Sequence, residues 1–344
     1  MRFLRRAISL IMIICAVILS SCEYYKNPPD DIMAIPFEGD FESDTWRGEN
    51  VAPSDIGGEN KNTDYNTIEI KNERRLSCKH TDFSEFYNSI QNPKEFKLNG
   101  EVYGGVVPHH MVAATLVAGF FKAVSETEVK SDKKYDTVVI VAPNHQGETG
   151  DIITSFRNWQ IGEGETVYCD NDIVGEVYQN QKNPDGIIIT ENDGRMEEEH
   201  SVSVLIPYIS HYLPETKVAA FLLNRRLTLE NIYNIAKILS DAIKKTDKKV
   251  LFICCIDFSH YLPVISAAEN DIITKEAIID RDYKKIHGFS NDYVDSPQSL
   301  NTFLLYLENI GINNIDIIYN TDASEFLGAG INETTSYFII AAYE

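Results

Sequence analysis

Basic charge is scarce in this 344-residue chain: 31 lysines and arginines stand against 52 aspartates and glutamates, a formal net charge of -21 at pH 7. So little positive charge provides no field to hold a phosphate backbone. That excludes a nucleic-acid partner and disfavours broad contact with anionic lipid headgroups. The familiar cofactor and hydrolase signatures are also missing. There is no GxGxxG, no P-loop and no GxSxG, so dinucleotide binding, nucleotide binding and serine hydrolysis have no support. No internal repeat is present. Cysteine is sparse: Cys15, Cys22, Cys78, Cys169, Cys254 and Cys255, with no CxxC pair and no zinc-ribbon spacing. Cys254 and Cys255 are adjacent inside an apolar run. Neighbours in a strand point to opposite faces, so these two read as small buried residues rather than a bridge. A Cys78–Cys169 disulfide is left open.

What is present begins at the amino terminus. Arg2, Arg5 and Arg6 form a basic region, and residues 7–19 form an apolar run. That run has signal-peptide length, is short for a membrane span and ends at small residues. Leu19-Ser20-Ser21-Cys22 looks like a lipobox, where the small residues fit a narrow cleavage pocket and the thiol forms a thioether. The expectation is a lipoprotein signal peptide over residues 1–21 and lipidation at Cys22. Acyl chains would then hold the mature protein on the extracytoplasmic face of the cell membrane. Residues 22–80 contain Asn27-Pro28-Pro29-Asp30-Asp31 and many Gly, Asn, Asp and Glu residues without a sustained period. They read as a flexible tether or N-terminal arm.

Residues 81–344 read as the folded domain. With 43% hydrophobic and 24% charged residues the chain can build a sizeable core. Residues 137–142 (TVVIVA), 217–223 (KVAAFLL) and 250–256 (VLFICCI) are continuous apolar runs, the mark of strands buried on both faces. Residues 102–107, 315–319 and 336–342 are further strands, and 111–124, 229–244 and 299–310 carry helical spacing. Alternating strands and helices predict an α/β three-layer sandwich around a mostly parallel or mixed sheet. Three apolar runs end in histidine-bearing turns: Pro108-His109-His110, Pro143-Asn144-His145 and Asp257-Phe258-Ser259-His260. Ligands bind beyond the carboxyl ends of such strands, so these residues are expected to share one crevice.

Together with Glu199-His200-Ser201 leading to Ile206-Pro207-Tyr208, and with Ser336-Tyr337 near the end, this ordered set resembles the Memo family, also called AmmeMemoRadiSam system protein B. The resemblance covers most of the mature domain. It implies a fold similar to class III extradiol dioxygenases and a metal held by two histidines and a third ligand. The histidines correspond to His109 and His145. The third position, usually Cys, is Asp295 here. Two imidazoles and a carboxylate favour Fe(II), with Cu or Zn as alternatives. Asp257, His260 and His200 are the acid/base candidates. Glu197-Glu198-Glu199, which precedes His200, reads as a solvated face, and His80, His211 and His287 as structural or surface residues. The chain departs from the family pattern at His110-Met111-Val112 for Ala-Gly-Tyr, at Ser203 for Glu and at Gln146 for a second His. Two functions remain open: a metal-dependent redox enzyme acting on an unidentified small molecule, and a non-enzymatic lipoprotein that binds metal or another ligand at a degenerate site.

Overall fold

A computed structural model describes residues 74–344 except 99, 132–133, 148–149, 163, 183–185 and 329. The expected signal peptide, the expected lipidation site Cys22 and nearly all of the expected tether fall outside the described residues. The described residues belong to one compact unit. Its strands are β1 (Leu76–Ser77), β2 (Val102–Val107), β3 (Thr137–Pro143), β4 (Ile152–Thr154), β5 (Trp159–Ile161), β6 (Glu165–Val167), β7 (Ile189–Glu191), β8 (Lys217–Leu223), β9 (Val250–Cys255), β10 (Asn314–Asp322) and β11 (Ser336–Tyr343). Eight of them form one sheet in the order β10-β11-β2-β9-β3-β8-β4-β7, and β1, β5 and β6 form a small second sheet. The central strands β2, β9, β3 and β8 run parallel, while β11 and β4 join them antiparallel. The sheet is therefore mixed.

The continuous apolar runs are buried on both faces because alternate residues feed two separate cores. Val138, Ile140 and Ala142 of β3 join Leu251, Ile253 and Cys255 of β9 under the helix Ala114–Ser131. Val139 and Val141 join Phe252 and Cys254 on the other face. The helices Leu229–Thr246 and Pro297–Asn309 cover that side. Two helix layers on one sheet complete the sandwich. Cys254 and Cys255 accordingly point into different cores. Cys78 and Cys169 are both free thiols, so the open disulfide is not formed. The reason is geometric: Cys78 belongs to the first core and Cys169 to the second.

Some elements differ from the sequence reading. A 3-10 turn at Met111–Ala113 precedes the helix that starts at Ala114. The helix expected at residue 299 starts at Pro297, because Ser296 caps it by accepting from the Ser299 amide at 3.2 Å. The helix Val264–Ile279 and the short strands β4 to β7 carry no clear period in the sequence. Among the described residues no helix is long and apolar enough to cross a membrane.

Candidate metal centre

Parallel strands deliver their carboxyl ends to one edge of the sheet. β2 ends into Pro108-His109, β3 into Asn144-His145, β8 into Asn224-Arg225 and β9 into Ile256-Asp257. A cavity of about 560 Å³ opens there, lined among others by His109, His145, His200, Asp257, His260 and Asp295. A larger cavity of about 720 Å³ lies at the opposite strand ends, beside Val102 and Val250, and holds none of these groups.

His109 forms the floor. It is 4% exposed, and its backbone N–H donates to Asp257 Oδ1 at 3.1 Å. Its Nε2 lies 3.4 Å from Oδ2 of both Asp257 and Asp295. Asp295 belongs to the loop before the helix Pro297–Asn309, and two backbone-anchored bonds dock it onto the β9 turn. The Asp295 amide donates to the Asp257 carbonyl at 3.1 Å, and the Asp257 amide donates to Asp295 Oδ2 at 3.2 Å. His145 Nε2 lies 3.9 Å from the same Asp295 oxygen, and His260 Nε2 lies 4.0 Å from it. The structure thus brings His109, His145 and Asp295 together from three distant parts of the chain, with Asp257 and His260 beside them.

His200 enters the cluster more closely than an acid/base role requires. His109, His145 and His200 each present a ligand atom within 4.8 Å of the others. The His145 and His200 rings stack, with centroids 4.5 Å apart. Glu199 holds this pair. It accepts from His145 Nδ1 at 2.8 Å and from the His145 amide at 3.0 Å, and His200 Nδ1 is 3.3 Å away. Ser201 also donates to it. With Nδ1–H committed to Glu199, His145 directs its Nε2 lone pair into the cavity. Glu199 is 2% exposed, which corrects the reading of Glu197-Glu198-Glu199 as a solvated face. Glu198 fits that reading, with its side chain 49% exposed. Glu197 is partly buried as well, accepting from the Ser77 amide at 2.9 Å, so nothing in the acidic run itself distinguishes the member that reaches the histidines, and His145 lies 54 residues away. His80, taken as structural or surface, also lines the cavity, its ring 6.4 Å from His200. His110 lines it as well, its Nδ1 2.7 Å from the Tyr337 hydroxyl.

The electrostatics follow from burial. Loss of water pushes the His109 pKa well below the ordinary imidazole value, and the neighbouring imidazoles push it further. Burial also lowers His200 and His260. Burial raises Asp257, and it raises Asp295 strongly, with the Asp257 charge adding to the effect. Burial works against the charged form of His145, but the hydrogen bond and charge of Glu199 lift it above the ordinary value. Burial likewise raises Glu199, and His145 outweighs it, bringing the carboxyl down to about 2. His109 Nδ1, Asp295 Oδ1 and His260 Nε2 are buried without a hydrogen-bond partner. Buried polar atoms are ordinarily paired, so this concentration of unpaired donors and acceptors fits residues arranged for a cation.

A mixed-sheet α/β sandwich that gathers imidazoles and carboxylates at its parallel strand ends is the class this fold and site define. A family model described as Memo, Memo-like protein, matches residues 80–322, and the chain belongs to that family. It is 24% identical over 261 residues to a MEMO1 family protein of Pyrobaculum aerophilum, covering 74% of this chain and 87% of the relative. A MEMO1 family protein of Methanococcoides burtonii is 28% identical over 193 residues, 55% of this chain and 67% of the relative. Among solved structures, an uncharacterized protein from Escherichia coli K12 aligns with a TM-score of 0.44 at 9% identity, covering 70% of this chain and 99% of that one.

Proposed function

We propose that this Memo-family chain is a lipid-anchored, extracytoplasmic protein that holds a divalent metal, Fe(II) by preference, at His109, His145 and Asp295. We propose further that it uses the metal in redox chemistry on a small molecule, as the resemblance to class III extradiol dioxygenases suggests. The observation that supports this most is the convergence of these donors at the strand ends, where the His109 and Asp295 side chains are buried, His145 reaches in from the exposed turn, and Asp295 Oδ1 and His109 Nδ1 are unpaired. A divalent metal there supplies Lewis acidity and, in the case of iron, an electron-transfer centre. The protein's own groups do the rest. Burial keeps His109 neutral, so its lone pair stays available. Glu199 fixes the tautomer and direction of His145. His260 and Asp257 stand beside the donor set, where they can hold a proton of the bound molecule.

A second reading rests on the spacing of the three imidazoles: His109, His145 and His200 alone hold the metal, a set suited to Zn or Cu. Protein purified without a histidine tag and loaded anaerobically with Fe(II), Zn(II) or Cu separates the two. The expected result is near-stoichiometric metal in the wild type, loss in His109→Ala, marked weakening in Asp295→Ala and retention in His200→Ala. Retention in Asp295→Ala with loss in His200→Ala establishes the three-imidazole set instead. A wild type that takes up none of the metals ends both readings.

A further inference from the structure

Arg225 is the one lysine or arginine among the described residues that lines the cavity of the metal centre. It follows β8, whose last residue is paired with the end of β3, and the Asn144 amide donates to the Leu223 carbonyl at 3.0 Å. Arg225 therefore stands on the strand end next to the His145 turn. A β-carbon added at Gly147 would lie 3.5 Å from Arg225 Nε, so the guanidinium packs over that turn. The backbone carrying it is fixed. Gln298 donates to the Arg225 carbonyl at 2.8 Å, Asn224 donates to the Gly150 carbonyl at 3.0 Å, and the Arg226 amide donates to Asn224 at 2.9 Å.

The guanidinium itself makes no ion pair or hydrogen bond among the described residues. In a chain of net charge -21 acidic groups are abundant, yet among the described residues none pairs with this guanidinium at the cavity mouth, which leaves its donors available to a ligand. Its planar fork suits a carboxylate or phosphate oxygen pair. The floor of the cavity offers imidazoles and carboxyl groups but no lysine or arginine among the described residues. An anionic group held by Arg225 at the rim leaves the other end of the molecule directed at the imidazoles.

We infer that Arg225 is a specificity-determining residue that binds the carboxylate or phosphate of a small anionic ligand, so that the substrate class of the proposed centre is a small organic acid or phosphate ester. This rests on the proposed function for the word substrate; the binding claim stands alone. The test titrates benzoate, benzyl alcohol and inorganic phosphate into EDTA-treated and metal-loaded protein by calorimetry or NMR. Benzoate or phosphate is expected to bind the metal-free wild type and to bind Arg225→Gln at least tenfold more weakly. Arg226→Gln, altered at an exposed neighbour outside the cavity, is expected to match the wild type, and benzyl alcohol is expected to be indifferent to Arg225. Equal affinity of Arg225→Gln and wild type overturns the inference, and so does failure of both anions to bind the wild type. Arg225→Gln should keep the metal content of the wild type. If the wild type takes up no metal but its anion binding still depends on Arg225, the metal reading fails and the anion site stands.

Discussion

At the scale of single residues, the centre depends on who orients whom. Glu199 touches His145 twice and His200 once, so it acts through them rather than on a ligand. Glu199→Gln removes the charge that anchors the His145 tautomer. Metal affinity is expected to fall about 10- to 100-fold with the fold intact, which metal titration alongside circular dichroism checks. Unchanged affinity would remove Glu199 from this role. By the family resemblance, Asp295 is proposed to place a hard oxygen donor where a cysteine is expected. Asp295→Cys is therefore expected to raise Cu(I) affinity and lower that for Fe(II), measured by competition with chelators under anaerobic conditions. An unaltered metal preference would show that this side chain is not a ligand.

At the scale of elements, two contacts decide how the strands and helices meet. Gly105 in β2 has no room for a side chain: a β-carbon there would lie 2.3 Å from Phe120 Cζ and 2.7 Å from the Ile340 carbonyl. Gly105→Ala forces the helix Ala114–Ser131 or β11 to shift and is expected to cost about 1–3 kcal/mol, read from urea denaturation. A cost near zero would mean that the packing yields freely. At the other end of the strands, buried Asp170 caps the helix Asn171–Tyr178 and accepts from Lys248 at 2.7 and 2.8 Å and from the Thr137 hydroxyl. Burial pushes its pKa up, but the Lys248 and Thr137 hydrogen bonds prevail and leave it below the usual value. The folded state therefore binds this proton less readily than the unfolded chain. The stabilisation is complete above the unfolded carboxylate range near ~3.9 and is lost as pH falls through the lower folded value. Asp170→Asn should lower neutral-pH stability by about 1–3 kcal/mol and narrow its gap to the wild type in acid. A gap independent of pH would contradict the assignment. The helix Val264–Ile279 shows why some elements were illegible. Ile265, Ile272 and Ile279 are exposed, so apolar residues surround the helix and blur the 3.6-residue stripe.

At the scale of the whole molecule, the proposed anchor and the proposed centre are separate claims with separate tests. Cys22→Ser is expected to release the protein from membranes or to block its processing, which fractionation and mass measurement detect. A Cys22→Ser protein processed and membrane-bound like the wild type would end the lipoprotein reading. Sequence alone was sufficient for the layer architecture, because a strand buried on both faces must be apolar at every position and a covering helix must repeat its apolar face. It also placed His109, His145, Asp257 and His260 at strand ends, since the chemistry-bearing residues directly follow the apolar runs. Asp295 as a third ligand came from the family resemblance. Only the tertiary structure decided that Glu199 turns inward while Glu198 faces water, that His200 stacks on His145, and that Arg225 stands at the mouth with no partner among the described residues. Those positions depend on chain segments far apart in sequence packing at one sheet edge. Local propensity and periodicity carry no information about such contacts, because each residue's own neighbours look the same whether its side chain meets solvent or another loop.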